Sequence, residues 1–232
     1  MATRVARACF AGWMIALAAG YYAFPAYGTG LWAALGFSGA VAVIVGVVLN
    51  RPARRLPWLL LSAVLVTFTL GDATYNLLPG NPFPSPADGF YLLSYPLLAA
   101  ALLIFIRFRS GADDRAALLD ALVPTSAVGL LVWVVWIGPF VRDTDLSTAE
   151  KLASIGYPFG DMVALAMLLR LLSAPGTRHV AIGTLTFGVA GLLATDLIYG
   201  LNQLSQDWHT GGRSTWLGVL LLDGRYAPLR SV

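Results

Sequence analysis

Seven continuous apolar stretches, each near the roughly 20 residues an α-helix needs to cross hydrocarbon, constrain this chain more than any other feature. They run Ala8 to Phe24, Leu31 to Leu49, Trp58 to Leu78, Gly89 to Ile106, Ala121 to Phe140, Leu152 to Leu172 and Val180 to Gly200. An eighth, Thr215 to Leu222, is short. Turn-forming residues separate them: Pro25 with Gly28 and Gly30, Asn50 to Pro57, the proline-rich Pro79 to Pro86, and Pro175-Gly176. With 12% charged residues, 58% hydrophobic residues and a mean hydropathy of +0.73, the 232-residue chain lacks the polar surface of a soluble enzyme. No polar stretch is long enough to be a cytosolic catalytic domain on a membrane anchor. The apolar runs do not alternate, which argues against a β-barrel. The expected fold is all-α: a polytopic transmembrane helix bundle with seven clear spans plus a short eighth. It forms one domain over residues 1–222, followed by a short tail, 223–232.

The arginines set the expected orientation. With the N-terminus cytoplasmic, the inner segments carry Arg4, Arg7, Arg51, Arg54, Arg55, Arg107, Arg109, Arg115, Arg170 and Arg178, joined by Arg225 and Arg230 if the eighth segment crosses. The outer segments then carry Arg142, Lys151 and Arg213, so 12 cations lie inside against 3 outside. Tyr21, Tyr22, Phe24, Tyr27 and Trp32 gather at the first outer loop and Trp133 and Trp136 approach the next, as an interfacial aromatic belt does. Arg4 and Arg7 before an apolar run also fit a secretory signal. An uncleaved first helix is preferred, because the run is long and no small-x-small cleavage site follows. Cys9, the single cysteine, excludes an internal disulfide and a thiolate metal cluster.

Three carboxylates fall within apolar runs: Asp72, Asp161 and Asp196, with Asp88 and Asp120 at helix starts. An Asp at the bilayer centre costs about 2.5–3.5 kcal/mol on insertion scales, so these groups must face a bundle interior or find partners. In the expected topology Asp72 lies roughly 9 Å and Asp196 roughly 6 Å from the outer ends of their spans, at 1.5 Å per residue. Asp161 is near mid-depth and Asp88 at the outer start of the fourth span.

Tyrosines accompany these acids at helical spacing. Asp72 and Tyr75, and Asp196 and Tyr199, are i,i+3; Asp88, Tyr91 and Tyr95 share one face. A phenol can hydrogen-bond a carboxylate while staying largely apolar. The pattern implies an Asp/Tyr cluster between helices, opening outward. Two roles stay open: interhelical hydrogen bonds that hold the bundle, or a pocket sensing a ligand, cation or proton. Tyr95-Pro96 and Tyr157-Pro158 place a proline inside spans four and six, each expected to kink its helix, with Gly156 and Gly160 flanking the second. The kinks are structural or carry a signal.

No phosphate loop, zinc-protease signature, nucleophile elbow or Cys/His metal spacing is present. His179 and His209 are expected at opposite faces and so cannot share a haem, and Lys151 lies too near a span end for a buried retinal Schiff base. No cofactor, metal, nucleic-acid partner or enzymatic activity is expected.

Gly71-Asp72, followed by Pro84-Ser85-Pro86-Ala87-Asp88-Gly89-Phe90-Tyr91-Leu92-Leu93-Ser94-Tyr95-Pro96-Leu97-Leu98-Ala99-Ala100, resembles the multi-span N-terminal input region of actinobacterial signalling proteins. That region precedes GGDEF diguanylate cyclase domains, EAL phosphodiesterase domains or histidine kinases. Leu119-Asp120-Ala121, Tyr157-Pro158-Phe159-Gly160-Asp161 and Asp196-Leu197-Ile198-Tyr199 are similar to its later marks, in the same order. The likeness runs from about Leu56 to Trp216. It departs where the apolar run stops after Leu222 and Asp223-Gly224-Arg225-Tyr226 leads into the tail. No output-domain sequence follows, so catalysis does not carry over, and a truncated product or a stand-alone relative is expected.

The resemblance implies an integral inner-membrane sensory module, multi-pass, working through a cytoplasmic cyclase, phosphodiesterase or kinase output domain or partner. Asp72, Asp88, Asp161 and Asp196 would receive the stimulus, with Tyr75, Tyr91, Tyr95, Tyr157 and Tyr199 around them. The alternative is a small proton- or ion-coupled transporter, since intramembrane carboxylates also serve as relays.

Overall fold

The computed structural model describes residues 2–80, 82–109, 115–142, 144, 146–173 and 180–209. Among them the chain is helical, without strands. In order the helices are α1 (Ala2–Ala23), α2 (Gly28–Asn50), α3 (Leu56–Leu77), α4 (Pro86–Arg109), α5 (Arg115–Val132), α6 (Gly138–Arg142), α7 (Thr148–Ser173) and α8 (Val180–His209). A 3₁₀ turn, Pro25–Tyr27, leads into α2, and a π-helical segment, Trp133–Ile137, joins α5 to α6. The seven apolar stretches fall on helix except for the terminal Phe24 and Leu78. The eighth stretch and the tail from 223 lie outside the described residues.

Four helical segments are long and apolar enough to cross a membrane: Pro25–Asn50, Leu56–Leu77, Pro86–Phe108 and Thr148–Ser173. Ala8–Ala23, Ala121–Val132 and Gly183–Ile198 are shorter apolar helices. This is a multi-pass helical membrane protein. Its surface differs from that of a soluble bundle, because small polar residues are buried with the apolar core while many large apolar ones are exposed. Ser62, Thr67, Thr69, Ser94, Thr125 and Ser154 are buried, whereas Phe37, Val41, Ile44, Val45 and Val48 on α2 are exposed. An apolar face of that extent, on a helix long enough to cross a membrane, fits contact with lipid.

The helices form two compact units that divide between Ala101 and Leu102, within α4. In the first unit, small residues let α2 and α3 approach closely. Gly36 faces Thr69 with no room for a β-carbon, Gly39 meets Leu65, and Ala40 is buried one turn on. The Ser62 hydroxyl donates to the Ala40 carbonyl at 3.0 Å across this contact. The Trp13 indole donates to Ser38 Oγ at 3.0 Å, joining α1 to α2. Arg51 ends α2 with φ 42° in the left-handed region, and its backbone N–H bonds the Val47 carbonyl at 3.1 Å.

In the second unit α5 packs on α7, with the Met162 methyl filling the space over Gly129. Ser147 and Glu150 start α7 as a capping box. The Ser147 backbone N–H donates to Glu150 Oε2 at 2.7 Å, and the Glu150 N–H donates to Ser147 Oγ at 3.3 Å. Pro158 lies inside α7, where it leaves the Ser154 carbonyl without its helical donor. The π segment, which the sequence reading did not anticipate, has a related cause. Pro139 cannot donate to the preceding turn, and the Gly138 N–H reaches back five residues to the Trp133 carbonyl.

Candidate functional site

The intramembrane acids fall into two groups, one in each unit. The first centres on Asp72. It lies five residues before the end of α3, Trp32 lies four residues into α2, and Tyr91 five residues into α4, so all three are roughly 6–8 Å from their helix ends. The Trp32 indole N–H donates to Asp72 Oδ2 at 2.6 Å, and the Tyr91 hydroxyl donates to Oδ1 at 2.6 Å. Both carboxylate oxygens therefore accept from a neighbouring helix, and charge-assisted bonds of this length are the stronger kind. Asn76 donates from its side chain to the Asp72 backbone carbonyl at 2.7 Å.

Local sequence explains why the Tyr91 hydroxyl can reach. Its ring rests on Gly71, where a β-carbon would come 2.6 Å from Cε1, and it packs against Phe68 at a centroid distance of 6.0 Å. Phe68, Gly71 and Asp72 follow i,i+3,i+4 on α3, so ring contact, clearance and acceptor lie on one face. Trp32 in turn contacts Tyr21 at 5.4 Å between centroids, and Tyr21 meets Tyr22 edge-on at 5.2 Å. Trp32, expected in the interfacial belt, also donates from its indole to a carboxylate, which spacing within one helix could not reveal. Tyr91 thus donates to Asp72 from a different helix, α4.

Asp88 has a different local task. Its Oδ2 accepts from the Ser85 backbone N–H at 2.6 Å and from Ser85 Oγ at 3.1 Å, closing the first turn of α4. Ser85 with an acid three residues later is the signature of such a cap, and the sequence carried it. Tyr95 is buried and Tyr157 half-buried.

The second group joins α7 to α8. The carboxyl groups of Asp161 and Asp196 hydrogen-bond one another, with Asp161 three residues beyond Pro158. A bond between two carboxyls exists only while one proton is held between them, because an ionised carboxylate has no donor. The Tyr199 side chain lies outside the described residues, as do the Asp120 and His209 side chains and His179. Shallow depressions at Ala26, Tyr27, Thr29, Gly30 and Leu31, and at Trp133, Val134, Gly138 and Arg142, include none of these carboxylates. Among the described residues no group of three His, Cys, Asp or Glu is placed to hold a metal ion.

Chemically, the two groups differ. Asp72 accepts on both oxygens and so ties α2, α3 and α4 together. Asp161 and Asp196 are two acids that face one another one turn past a proline inside α7, an arrangement whose geometry depends on proton occupancy.

Compared with family models, curated proteins and solved structures, the chain finds no match.

Proposed function

We propose that this chain is the sensory input module of a bacterial membrane signalling system, with seven spans, a cytoplasmic N-terminus and a place in the inner membrane. It has no catalytic role of its own and acts through a cytoplasmic output domain or partner. One observation carries the reading: the Asp161–Asp196 carboxyl bond between α7 and α8, one turn past Pro158. Loss of the shared proton would leave two carboxylates that repel, and a cation would take the proton's place as a bridge, so either event changes the contact directly. The proline leaves α7 a backbone position without its ladder bond, where a small bend is tolerated. A stimulus that binds or titrates the pair differently in two α7 arrangements would shift their populations, which is what coupling requires. Asp72 contributes the fixed frame rather than the moving part.

The test places the full chain in liposomes, with spin labels on α7 and α8 and a pH dye in the lumen. The expected result is a label distance that changes with proton or cation concentration, is abolished in Asp161→Asn, and is unaccompanied by proton flux. Flux that disappears in Asp161→Asn would replace the sensor with a proton-coupled transporter. A distance indifferent to every condition would discard the pair as a stimulus site.

A further inference from the structure

We propose that the turn between α2 and α3 is a binding site for the phosphate headgroup of an anionic lipid, formed by Arg51, Arg54 and Arg55. This goes beyond the sensory reading and does not depend on it.

Charge distribution is the first argument. The chain has no Asp or Glu before Asp72, so the turn carries three guanidiniums and no acid. The nearest carboxylate along α3 is 17 residues from Arg55, roughly 25 Å away at helical rise. The other acid of the first unit, Asp88, caps α4, which begins beyond the far end of α3. All three arginines are exposed, and the Arg51 and Arg55 side chains make no hydrogen bond or ion pair among the described residues. Neither described carboxylate of this unit lies near the turn, so an external anion can complement its exposed guanidiniums.

Position is the second argument. The turn is five residues long, 51–55, and is held between α2 and α3, both long enough and apolar enough to cross a membrane. Leu49 at the end of α2 and Leu56 at the start of α3 are exposed apolar residues, so lipid contact extends to both edges of the turn. Three guanidiniums are thereby fixed at the level of the lipid headgroups. Pro57 is buried directly after the turn and limits its freedom, and Trp58 follows at the depth where an interfacial indole is favoured.

Residue choice is the third argument. Arg51 occupies a left-handed position that Gly or Asn adopts with less strain. All three cations are arginines, whose planar forks bind phosphate oxygens in pairs, whereas an ammonium acts as a point charge. A free phosphate offers the same chemistry, but the membrane supplies headgroups at the turn continuously and at high local concentration.

The experiment uses the purified full chain in lipid nanodiscs and native mass spectrometry, with phosphatidylglycerol and phosphatidylcholine of matched acyl chains in competition. The wild type should retain phosphatidylglycerol preferentially. The R51Q/R54Q/R55Q variant should lose that preference by on the order of 100-fold, and R51K/R54K/R55K should keep part of it. Equal retention of the two lipids, or an unchanged preference in the Gln variant, overturns the site. Inorganic phosphate binding the lipid-free chain in detergent as tightly as the lipid would overturn the lipid assignment. If the Gln variant does not fold, a salt titration of the wild type decides. A headgroup site must lose its preference as ionic strength rises about tenfold, and a salt-independent preference refutes it.

Discussion

The ring of Tyr91 lies against the bare backbone of Gly71, and that clearance brings its hydroxyl to Asp72 on the next residue of α3. Gly71→Ala should therefore act on the hydrogen bond as well as on packing. The added methyl would come 2.6–2.9 Å from Cε1, Cδ1 and Cζ of the ring, displacing it. The expected loss is about 1–3 kcal/mol, the range for overpacking a close contact. Gly89→Ala is the control, because nothing lies within 4 Å of its β-position, and it should be neutral or stabilising by up to about 1 kcal/mol. Reversible unfolding in mixed detergent micelles measures both.

Tyr91→Phe removes one donor from Asp72 and keeps the ring, and Trp32→Phe removes the other while also trimming the ring that meets Tyr21. Interhelical hydrogen bonds in membranes average about 0.6 kcal/mol and reach about 1.7. A charged acceptor places these two at the upper end. Asp72→Asn replaces one acceptor oxygen by a donor that must face either Trp32 or Tyr91, so it should cost more than either single donor deletion. In a double-mutant cycle, Tyr91→Phe should cost markedly less once Asp72 is Asn. Full additivity would mean the contact contributes nothing.

Gly36 and Thr69 test the helix contact that frames the same group. Thr69 stands against the α-carbon of Gly36 and donates to the Leu65 carbonyl at 2.7 Å, which fixes its rotamer. Gly36→Ala should destabilise by about 1–3 kcal/mol. Adding Thr69→Ala should recover part of the loss, since it removes the two atoms that crowd the new methyl most, other than Cβ itself. No recovery would place the strain elsewhere.

Much of the architecture was legible because hydrophobic runs and turn residues are local signals. The stretch Trp58 to Leu78 became α3 at Leu56–Leu77, and Leu152 to Leu172 became α7 at Thr148–Ser173. The capping acids Asp88 and Glu150 account for helix starts that precede the apolar residues. Partner choice was less legible. Asp72 meets Trp32, 40 residues away, and Tyr91, 19 residues away, because helix rotation and the Gly71 clearance are properties of the packed unit. The i,i+3 spacing to Tyr75 identified a neighbour on the same helix and could not point to Tyr91 on α4. The Asp161–Asp196 bond was similarly invisible as a pair, although each acid stood out alone as an anomalous charge.

The Asp161–Asp196 pair makes the most discriminating prediction. If one proton bridges the two carboxyls, replacing either acid by Asn substitutes an amide donor for the protonated partner. Asp161→Asn or Asp196→Asn should then keep the fold within about 1 kcal/mol, the scale of a single interhelical bond. Asp161→Leu instead leaves Asp196 in an apolar setting with its partner removed, and Asp196→Leu does the same to Asp161. Breaking a buried pair from one side costs about 3–5 kcal/mol when the remaining group stays charged. The Leu variants should therefore unfold at clearly lower denaturant than the Asn variants, and the double Leu variant should recover much of the difference by removing the stranded acid. Equal stability of Asn and Leu variants would show that no bond joins α7 to α8 here. Under that result the sensory role would lose its physical basis, because a stimulus could not act on a contact that contributes no energy.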